Sequence, residues 1–374
     1  MNALKDFWNE KKKLILLCSG IIILVIILII ILIVILMNVL KKYEPLELEK
    51  MMVTSTQNYL KDHQVQVPNQ MNPESVIEVS TLVENEYLKD FAKISKDSNC
   101  TGRVKVIFEK EENHSPVLRY VPTLECDHYK TTTLLETILS REYIEDNKEG
   151  LNKTLDTYYY RGEYVSNYLE YLGYAWRIFK FDKDMTYLVL ADTLNDTSYV
   201  YDDRYNEIAK GNRGKNSFEN SRIAGTLNGF YNSFFAGHHA YLKTMNACIH
   251  SRSLNDTIKD GSIECYTTYS TPIALLSVYD YMNASLDYYC LKSSDRNCSN
   301  YNYLAKTTNN FWLLNGTNED TYKVYVASAS MLGALQLEAA NSKKYIRVVI
   351  ALPNDIEYKS GIGTKDKPYT FYEY

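Results

Sequence analysis

The feature that most constrains this chain is an uncharged apolar segment at residues 14–40. Its 27 residues, "LILLCSGIIILVIILIIILIVILMNVL", contain no charged side chain. A helix of this length spans about 40 Å at ~1.5 Å per residue, which exceeds the roughly 30 Å hydrocarbon layer of a bilayer. A cleaved signal peptide has a shorter apolar region followed by a small-residue cleavage site, and "MNVLKKYEPLE" offers none. The segment therefore predicts a single transmembrane helix in contact with the lipid bilayer.

Lysines and cysteines predict the orientation of that helix. Four lysines precede it, whereas lysines and glutamates are mixed just after it, which favours a cytoplasmic tail at residues 1–13. Six cysteines follow the helix, and an even set suits three disulfides in an oxidising compartment. They are Cys100, Cys126, Cys248, Cys265, Cys290 and Cys298. We expect a single-pass protein of the cell membrane with a cytoplasmic N-terminus and residues 43–374 outside the cell.

The net charge of the predicted ectodomain limits its partners. Residues 1–42 hold six of the 41 Lys+Arg and two of the 46 Asp+Glu, so the rest of the chain has 35 basic and 44 acidic residues. An acidic ectodomain argues against nucleic acid as a partner. It argues equally against bulk electrostatic attraction to anionic lipid or wall polymer.

The pattern beyond the membrane predicts a helical stalk with a small α+β module at 43–144, a polar linker at 145–154 and a distal domain at 155–374. Apolar spacing indicates a helix over 46–62 and another over 73–91.

A hairpin is predicted in the small module. The stretch "CTGRVKVIFEKEENHSPVLRYVPTLEC" alternates apolar and polar residues on either side of a polar turn. It begins and ends with a cysteine, which makes Cys100 to Cys126 the expected disulfide. Such a cross-link, stabilising by roughly 2–4 kcal/mol, matters in a module of fewer than about 100 residues.

The distal domain mixes strands and helices. The runs "AWRIFKF" and "TYLVLAD", joined by "DKDM", predict a hairpin, and we interpret "EYLGYAWRIFKF" at 170–181 as the first core strand. Its Trp176 should point inward and Arg177 to the opposite face. The stretch "SFENSRIAGTLNGFYNSFF" predicts a helix with Ser217 as its N-cap.

The end of the chain completes the fold class. Ser277 and Asp280 are spaced as in a capping box at the start of a short helix, and "YKVYVAS" and "YIRVVIAL" are strand patterns. No βαβ rhythm recurs, so the distal domain is predicted to be α+β. The candidates for its scaffold core are Trp176, Leu227, Phe230, Trp312 and Arg347.

A series of short motifs carries a resemblance to a known family. The motifs are "YYYRGEYVSNYLEYLGYAWRIFKF", "NSFENSRIAGTLNGFY", "TPIALLSVYDYMNA", "FWLLNG" and "YIRVVIALPNDIEYKSGIGTKDKPY". In this order they resemble surface proteins of low-GC Gram-positive bacteria, whose C-terminal domain of unknown function is similar to the C-type-lectin-like fold shared with sulfatase-modifying enzymes. The upstream cysteine-bracketed block, with a pilin-like helix before it, is similar to the module that precedes this domain. One departure is Ile346-Arg347-Val348, where the family has valine-arginine-proline.

The resemblance carries over no catalytic residue. Sulfatase-modifying enzymes use a reactive cysteine pair and a metal, whereas the short separations here suit local disulfides such as Cys248 to Cys265 and Cys290 to Cys298. Four cysteines allow three pairings, so the connectivity stays open. The sequence also has no H-E-x-x-H, G-x-S-x-G, glycine-rich phosphate loop or S-x-x-K.

No cofactor is predicted, and two metal candidates are weak. The pair His238 and His239 is interpreted as a loop or cap, because adjacent side chains point apart. Calcium is considered at Asp202, Asp203 and Asn206, although an acidic loop of this kind is usually solvated.

The 34 tyrosines cluster at 157–174 and 279–303. Tyrosine suits recognition surfaces and stacking on sugar rings, although an AT-rich genome also favours it. We expect a non-enzymatic surface protein whose distal domain binds a glycan or protein ligand. The alternatives are an envelope or pilus-like assembly component and, third, an enzyme related to sulfatase-modifying proteins.

Overall fold

A computed structural model describes residues 41–109, 116–142, 144–257 and 261–374. The predicted tail and the predicted membrane helix at 14–40 lie outside these residues. Among the described helices, none combines the length and apolar character needed to cross a membrane.

The described chain is α+β, as predicted, and its strands pair antiparallel. Its α-helices are α1 Pro45–Asp62, α2 Val79–Glu84, α3 Phe91–Ile94, α4 Leu134–Arg141, α5 Arg222–Phe234 and α6 Val278–Asn283. The strands up to the centre of the chain are β1 Glu74–Glu78, β2 Thr101–Glu109, β3 Val117–Glu125, β4 Gly150–Thr154, β5 Thr157–Arg161, β6 Tyr168–Tyr171, β7 Tyr174–Phe181, β8 Met185–Leu190 and β9 Tyr199–Val200. The later strands are β10 Met245–Cys248, β11 Thr268–Thr271, β12 Ile273–Leu275, β13 Phe311–Gly316, β14 Lys323–Ser328, β15 Ala334–Ala339, β16 Lys343–Lys344, β17 Val348–Pro353, β18 Tyr358–Ser360 and β19 Thr370–Phe371.

The chain divides into two compact units. The described part of the first unit comprises residues 41–66, 76–104 and 122–130. Helix α1 forms its centre, because Leu48 and Met52 lie one turn apart on the same face and are fully buried. The second unit holds 67–75, 105–121 and 131–374.

The predicted second helix at 73–91 is wrong. The segment forms strand β1, which lies beside β2, followed by the short helices α2 and α3. Glu78 is extended at φ −73° and ψ 147°, and Glu86 is left-handed at φ 63°. Because both conformations interrupt helical hydrogen bonding, a continuous helix cannot form here.

The predicted hairpin is confirmed. Strands β2 and β3 are neighbours in a three-stranded sheet of order β1-β2-β3. The disulfide Cys100–Cys126 closes the base of the hairpin, as expected.

A seven-stranded sheet organises the second unit. Its order is β12-β17-β8-β7-β5-β4, with β6 also paired to β7. Strands β7 and β8 form the predicted hairpin, and Asp182 Oδ1 accepts from the backbone N–H of Met185 at 2.8 Å in the turn. Strand β7 is central in this sheet and three strands of the sheet, β4, β5 and β6, precede it in the chain, so 170–181 is not the first core strand.

The predicted linker at 145–154 also needs correction. Its second half forms β4, which pairs with β5 from Gly150–Arg161 to Thr154–Thr157. The composition did not predict this strand because Leu151 is its one large apolar residue, and Lys153 and Thr154 are exposed at the edge of the sheet.

Helix α5 begins later than predicted. Its N-cap is Ser221, whose Oγ accepts from the Ala224 backbone N–H at 3.1 Å, and not Ser217. Asn220 is left-handed at φ 60°, which breaks the helix before that point. The helix buries Ile223 and Leu227 in the core of the unit.

Candidate functional site

The six described cysteines form three disulfides. Besides the hairpin cross-link, the pairs are Cys248–Cys265 and Cys290–Cys298, one of the three pairings that the sequence left open. No thiol of these six is free for redox chemistry, which a sulfatase-modifying mechanism would require.

The histidine pair considered as a metal site is engaged in protein contacts. His238 Nδ1 lies 3.2 Å from the Glu373 carboxylate. The His239 ring stacks on Tyr231 with centroids 4.7 Å apart. In the part of the chain that the structure describes, no three His, Cys, Asp or Glu side chains come together as a metal site.

The calcium candidates likewise serve the protein itself. Arg204 donates to the buried Asp202 carboxylate, and Arg222 donates to Asp203 at 3.0 Å. The Asn206 side chain donates to the Gly214 carbonyl and accepts from the Ala209 backbone N–H.

The proposed scaffold residues lie in the core of the second unit. Trp176, Trp312 and Arg347 are fully buried, and Leu227 is 1% exposed. Phe230 is only half-buried and stacks on Phe234 at the edge of this core.

Arg177 makes buried contacts of its own beside Trp176 on strand β7. It is buried like its neighbour Trp176, with its guanidinium 3.9 Å from the ring centre of Tyr168 and 4.6 Å from that of Tyr303. Its Nε donates to Asn167 Oδ1 at 2.5 Å. Burial lowers the pKa of Arg177, an effect that the two tyrosines partly offset.

The fold joins the two tyrosine-rich segments of the sequence. Gly162 and Asn302 form a parallel bridge, in which the Tyr303 N–H donates to the Gly162 carbonyl at 2.7 Å. Arg161 reinforces the junction, since its guanidinium donates to the carbonyls of Asn283 and Ser285.

A cleft of roughly 590 Å³ opens at this junction. We call it the tyrosine cleft. It is lined by Glu163, Asp287, Ser299, Asn300, Tyr301, Asn302, Ala305, Lys306, Thr307, Ala329 and Leu332.

Large apolar and aromatic side chains stand exposed at this cleft. Tyr301 is 60% exposed and Leu332 85% exposed in its lining. Tyr164 follows the lining residue Glu163, and Tyr288 and Tyr289 follow the lining residue Asp287; all three are exposed. Exposed apolar groups gathered at one cleft are typical of a binding surface.

Two of these residues also hold an unfavourable backbone conformation. Tyr301 has φ 46° and Leu332 has φ 57°, in the left-handed region that favours glycine. For other residues the left-handed conformation costs about 1–2 kcal/mol. The burial of their own side chains offsets little of this cost, and such strain is concentrated at functional sites.

The charged groups of the tyrosine cleft are paired with one another. Lys306 lies 2.6 Å from the Glu163 carboxylate and 4.6 Å from the ring centre of Tyr164. Asp287 accepts from the Asn300 side chain at 2.8 Å. The hydrogen bond from Lys306 lowers the pKa of the Glu163 carboxyl, which makes it a poor proton donor.

The wall behind Tyr301 is fixed by buried polar groups. Asn302 Nδ2 donates to the carbonyls of Tyr281 and Cys298 at 2.9 and 2.8 Å. The disulfide Cys290–Cys298 closes a short loop that begins directly after Tyr288 and Tyr289 and ends directly before the lining residue Ser299. The rim side chains therefore stand on a rigid frame, which reduces the entropy lost when a ligand binds.

A second hollow of roughly 470 Å³ shares Thr307 and Ala329 with the tyrosine cleft. We call it the lysine hollow. Its lining residues are Thr307, Thr308, Asn309, Asn310, Ala329, Ser330, Lys343, Lys344 and Tyr345.

The first unit has its own open cleft of roughly 610 Å³. Its lining includes the exposed carboxylates of Glu78, Glu84, Asp90 and Glu125. It lacks the exposed aromatic side chains of the tyrosine cleft, so the latter is the better candidate for recognition.

The tyrosine cleft is suited to binding. Its lining has aromatic surface for stacking, with amide and hydroxyl groups for directional hydrogen bonds, and contains neither histidine nor cysteine. The tyrosine clusters in the sequence identified the two segments but did not show that they lie together, because the bridge between Gly162 and Asn302 depends on the whole fold. Comparison with protein-family models, curated proteins and solved structures found no match.

Proposed function

We propose that the protein is a membrane-anchored surface binding or adhesion protein that recognises a glycan at the tyrosine cleft. The observation that carries this proposal is the exposure of Tyr301 and Leu332, both left-handed, in the lining of one cleft. A chain that keeps apolar side chains in water on strained backbone loses stability, and ligand contact is a physical reason for retaining them.

The chemistry of the cleft favours sugar over an extended protein surface. Pyranose rings stack on tyrosine faces, and their hydroxyl groups pair with amides, carboxylates and hydroxyls such as those of Asn300, Glu163 and Thr307. A protein ligand stays the alternative occupant of the same cleft.

Two sequence features support the proposed location. The uncharged segment at 14–40 suits a single membrane anchor, and the three disulfides beyond it suit an oxidising compartment outside the cell. The resemblance to surface proteins of Gram-positive bacteria and to the C-type-lectin-like fold agrees with this location, and we include both in the proposal.

A glycan array tests the function with the full-length chain purified in mild detergent. We expect saturable binding to one glycan class, lost in Tyr301→Gly and retained in Tyr266→Ala. Tyr266 is the matched control because it is 83% exposed and does not line the cleft. Parallel arrays with calcium and with chelator decide whether binding depends on the metal.

Two results would contradict the proposal. If the protein binds no glycan, the proposed glycan recognition is wrong, and a protein ligand is the alternative that stays. Binding that persists in Tyr301→Gly would move the site away from the tyrosine cleft.

A further inference from the structure

The charged side chains in the lining of the lysine hollow are lysines. Lys343 and Lys344 line it, and no Asp or Glu is among its lining residues. Lys344 lies 3.4 Å from Glu338, whereas no carboxylate among the described residues lies within ion-pair distance of the exposed Lys343. At the border, Asp192 accepts from Thr308 Oγ1 at 3.2 Å.

The backbone that carries these lysines is held in place. Strand β16 pairs Lys343 with Val200 and Lys344 with Tyr199. The next residue, Tyr345, donates its backbone N–H to the Asn310 carbonyl at 2.9 Å. The exposed Lys343 therefore projects from a paired strand, and a ligand need not order the backbone.

The tyrosine cleft has a different electrostatic character. Its Lys306 is already paired with Glu163, and Asp287 is already bonded to Asn300. The two hollows adjoin at Thr307 and Ala329, and we call them together the groove: one end has the exposed Tyr301, and the other end has the exposed Lys343. Since acidic and basic residues of 155–374 are nearly equal in number, any attraction for an anion must be local.

We infer that the ligand is an acidic glycan that spans both hollows. One sugar ring stacks at Tyr301, and a carboxylate or phosphate group further along the glycan binds the ammonium group of Lys343. This inference rests on the proposed glycan recognition and names the class of glycan. The separation of the two ends along one groove favours an oligosaccharide over a single sugar.

The test uses the full-length chain and an array of acidic oligosaccharides, each paired with its neutral form. Uronic acid oligomers are compared with their methyl esters, and phosphorylated oligosaccharides with their dephosphorylated forms. We expect the acidic member to bind roughly tenfold or more tightly, because charge-assisted hydrogen bonds are lost in the neutral member. The two sets of pairs distinguish a carboxylate from a phosphate ligand.

Substitutions locate the effect in the lysine hollow. Lys343→Gln with Lys344→Gln should remove the preference for the acidic member, and Lys343→Arg should retain it. Lys183→Gln is the control for an exposed lysine outside the groove and should change nothing. Raising the salt concentration should weaken the binding of the acidic member of each pair and leave the binding of the neutral member unchanged.

The outcomes distinguish failure of the acidic ligand from failure of glycan recognition. Equal binding of acidic and neutral members, lost in Tyr301→Gly, overturns the acidic ligand and leaves glycan recognition standing. A preference for the acidic member that persists in the double lysine variant overturns the assignment of the anionic group to the lysine hollow. No binding to any member overturns both.

Discussion

Arg347 donates from Nη1 to the carbonyl oxygen of Leu304 at 2.7 Å, and the buried Leu304 lies in the chain between the cleft-lining residues Asn302 and Ala305. The same guanidinium donates from Nε to the Leu190 carbonyl at 3.0 Å, at the end of β8. A fully buried cation therefore connects the central sheet to the candidate site. Burial lowers the pKa of Arg347 to about 10, so the side chain stays charged at neutral pH.

Arg347→Met should destabilise the second unit strongly. The substitution keeps side-chain bulk but leaves the buried carbonyls of Leu190 and Leu304 without their donor. At about 1–3 kcal/mol for each unsatisfied group, we expect a loss of roughly 3 kcal/mol or more in the free energy of unfolding. Urea denaturation of the full-length chain measures the loss. The loss for Arg347→Lys should lie between zero and that for Arg347→Met, because an ammonium has fewer hydrogen-bond donors than a guanidinium. A loss below about 0.5 kcal/mol in Arg347→Met would contradict the anchoring role.

Leu332→Gly should stabilise the protein while weakening ligand binding. Glycine adopts φ 57° without strain, and the leucine side chain is 85% exposed, so little burial is lost. We expect the free energy of unfolding to rise by about 0.5–1 kcal/mol. Thermal denaturation checks the stability and the glycan array checks the binding.

A comparison with a turn residue isolates the role of the cleft. Leu155 is also left-handed, at φ 51°, and 89% exposed, but it does not line the cleft. Leu155→Gly should give a similar gain in stability with unchanged binding. Equal binding by the Leu332 and Leu155 variants would show that Leu332 has no part in recognition.

Removing the disulfide Cys290–Cys298 should affect binding more than fold. Its sequence separation of 8 residues corresponds to a stabilisation of about 2.5 kcal/mol in the chain-entropy model. The double alanine variant should stay folded at low temperature and bind ligand weakly, because Cys290 directly follows Tyr288 and Tyr289 and Cys298 directly precedes the lining residue Ser299. Circular dichroism and the array report the two effects separately.

The disulfide Cys248–Cys265 provides the matched control. It closes a longer loop of separation 17, which should cost about 3 kcal/mol when opened. No cysteine of this pair lines the tyrosine cleft. Its double alanine variant should therefore lose more stability and yet keep its ligand affinity. Loss of affinity in both variants would indicate a general loosening of the unit.

The buried pair of Arg252 and Glu264 predicts a pH dependence. Their side chains meet at 2.8 Å and are almost completely buried. Burial raises the pKa of Glu264 above 4.5 despite the attraction of Arg252. The folded state then retains a proton that the unfolded state has lost, so the contribution of Glu264 to stability decreases as the pH rises above about 4.5.

Glu264→Gln should remove that contribution. As the pH rises above about 4.5, the free energy of unfolding of the unmodified protein should fall more steeply than that of the variant, by up to about 1.4 kcal/mol per pH unit. Denaturant titrations of both proteins at matched pH values give the two slopes. Parallel slopes would show that Glu264 is ionised in the folded state across this range.

Local patterns predicted much of the fold. Helix α1, the hairpin closed by Cys100–Cys126 and the β7–β8 hairpin follow from apolar spacing and from turns of a few residues. Two of the errors have a common physical cause, which is pairing with another strand. Residues 74–78 form β1 because β2 lies beside them, and residues 150–154 form β4 because β5 does. A short apolar pattern does not distinguish these strands from helix or loop.

The candidate site was accessible to sequence reasoning only in part. The tyrosine-rich segments at 157–174 and 279–303 were visible as composition, but composition cannot tell an exposed tyrosine from a buried one. Tyr303 is buried against Arg177, while Tyr301, two residues earlier, is exposed. Leu332 carried no sequence signal, because its left-handed backbone is set by the turn that it closes.

The bridge between Gly162 and Asn302 has a consequence for how the site comes into being. It joins parts of the chain that are far apart in sequence, so the entropy of closing a long loop opposes its formation until the sheet between them exists. The site should thus be among the last features to appear during folding. Ligand capture would then report on completed folding, and a partly folded molecule with native-like secondary structure would not bind.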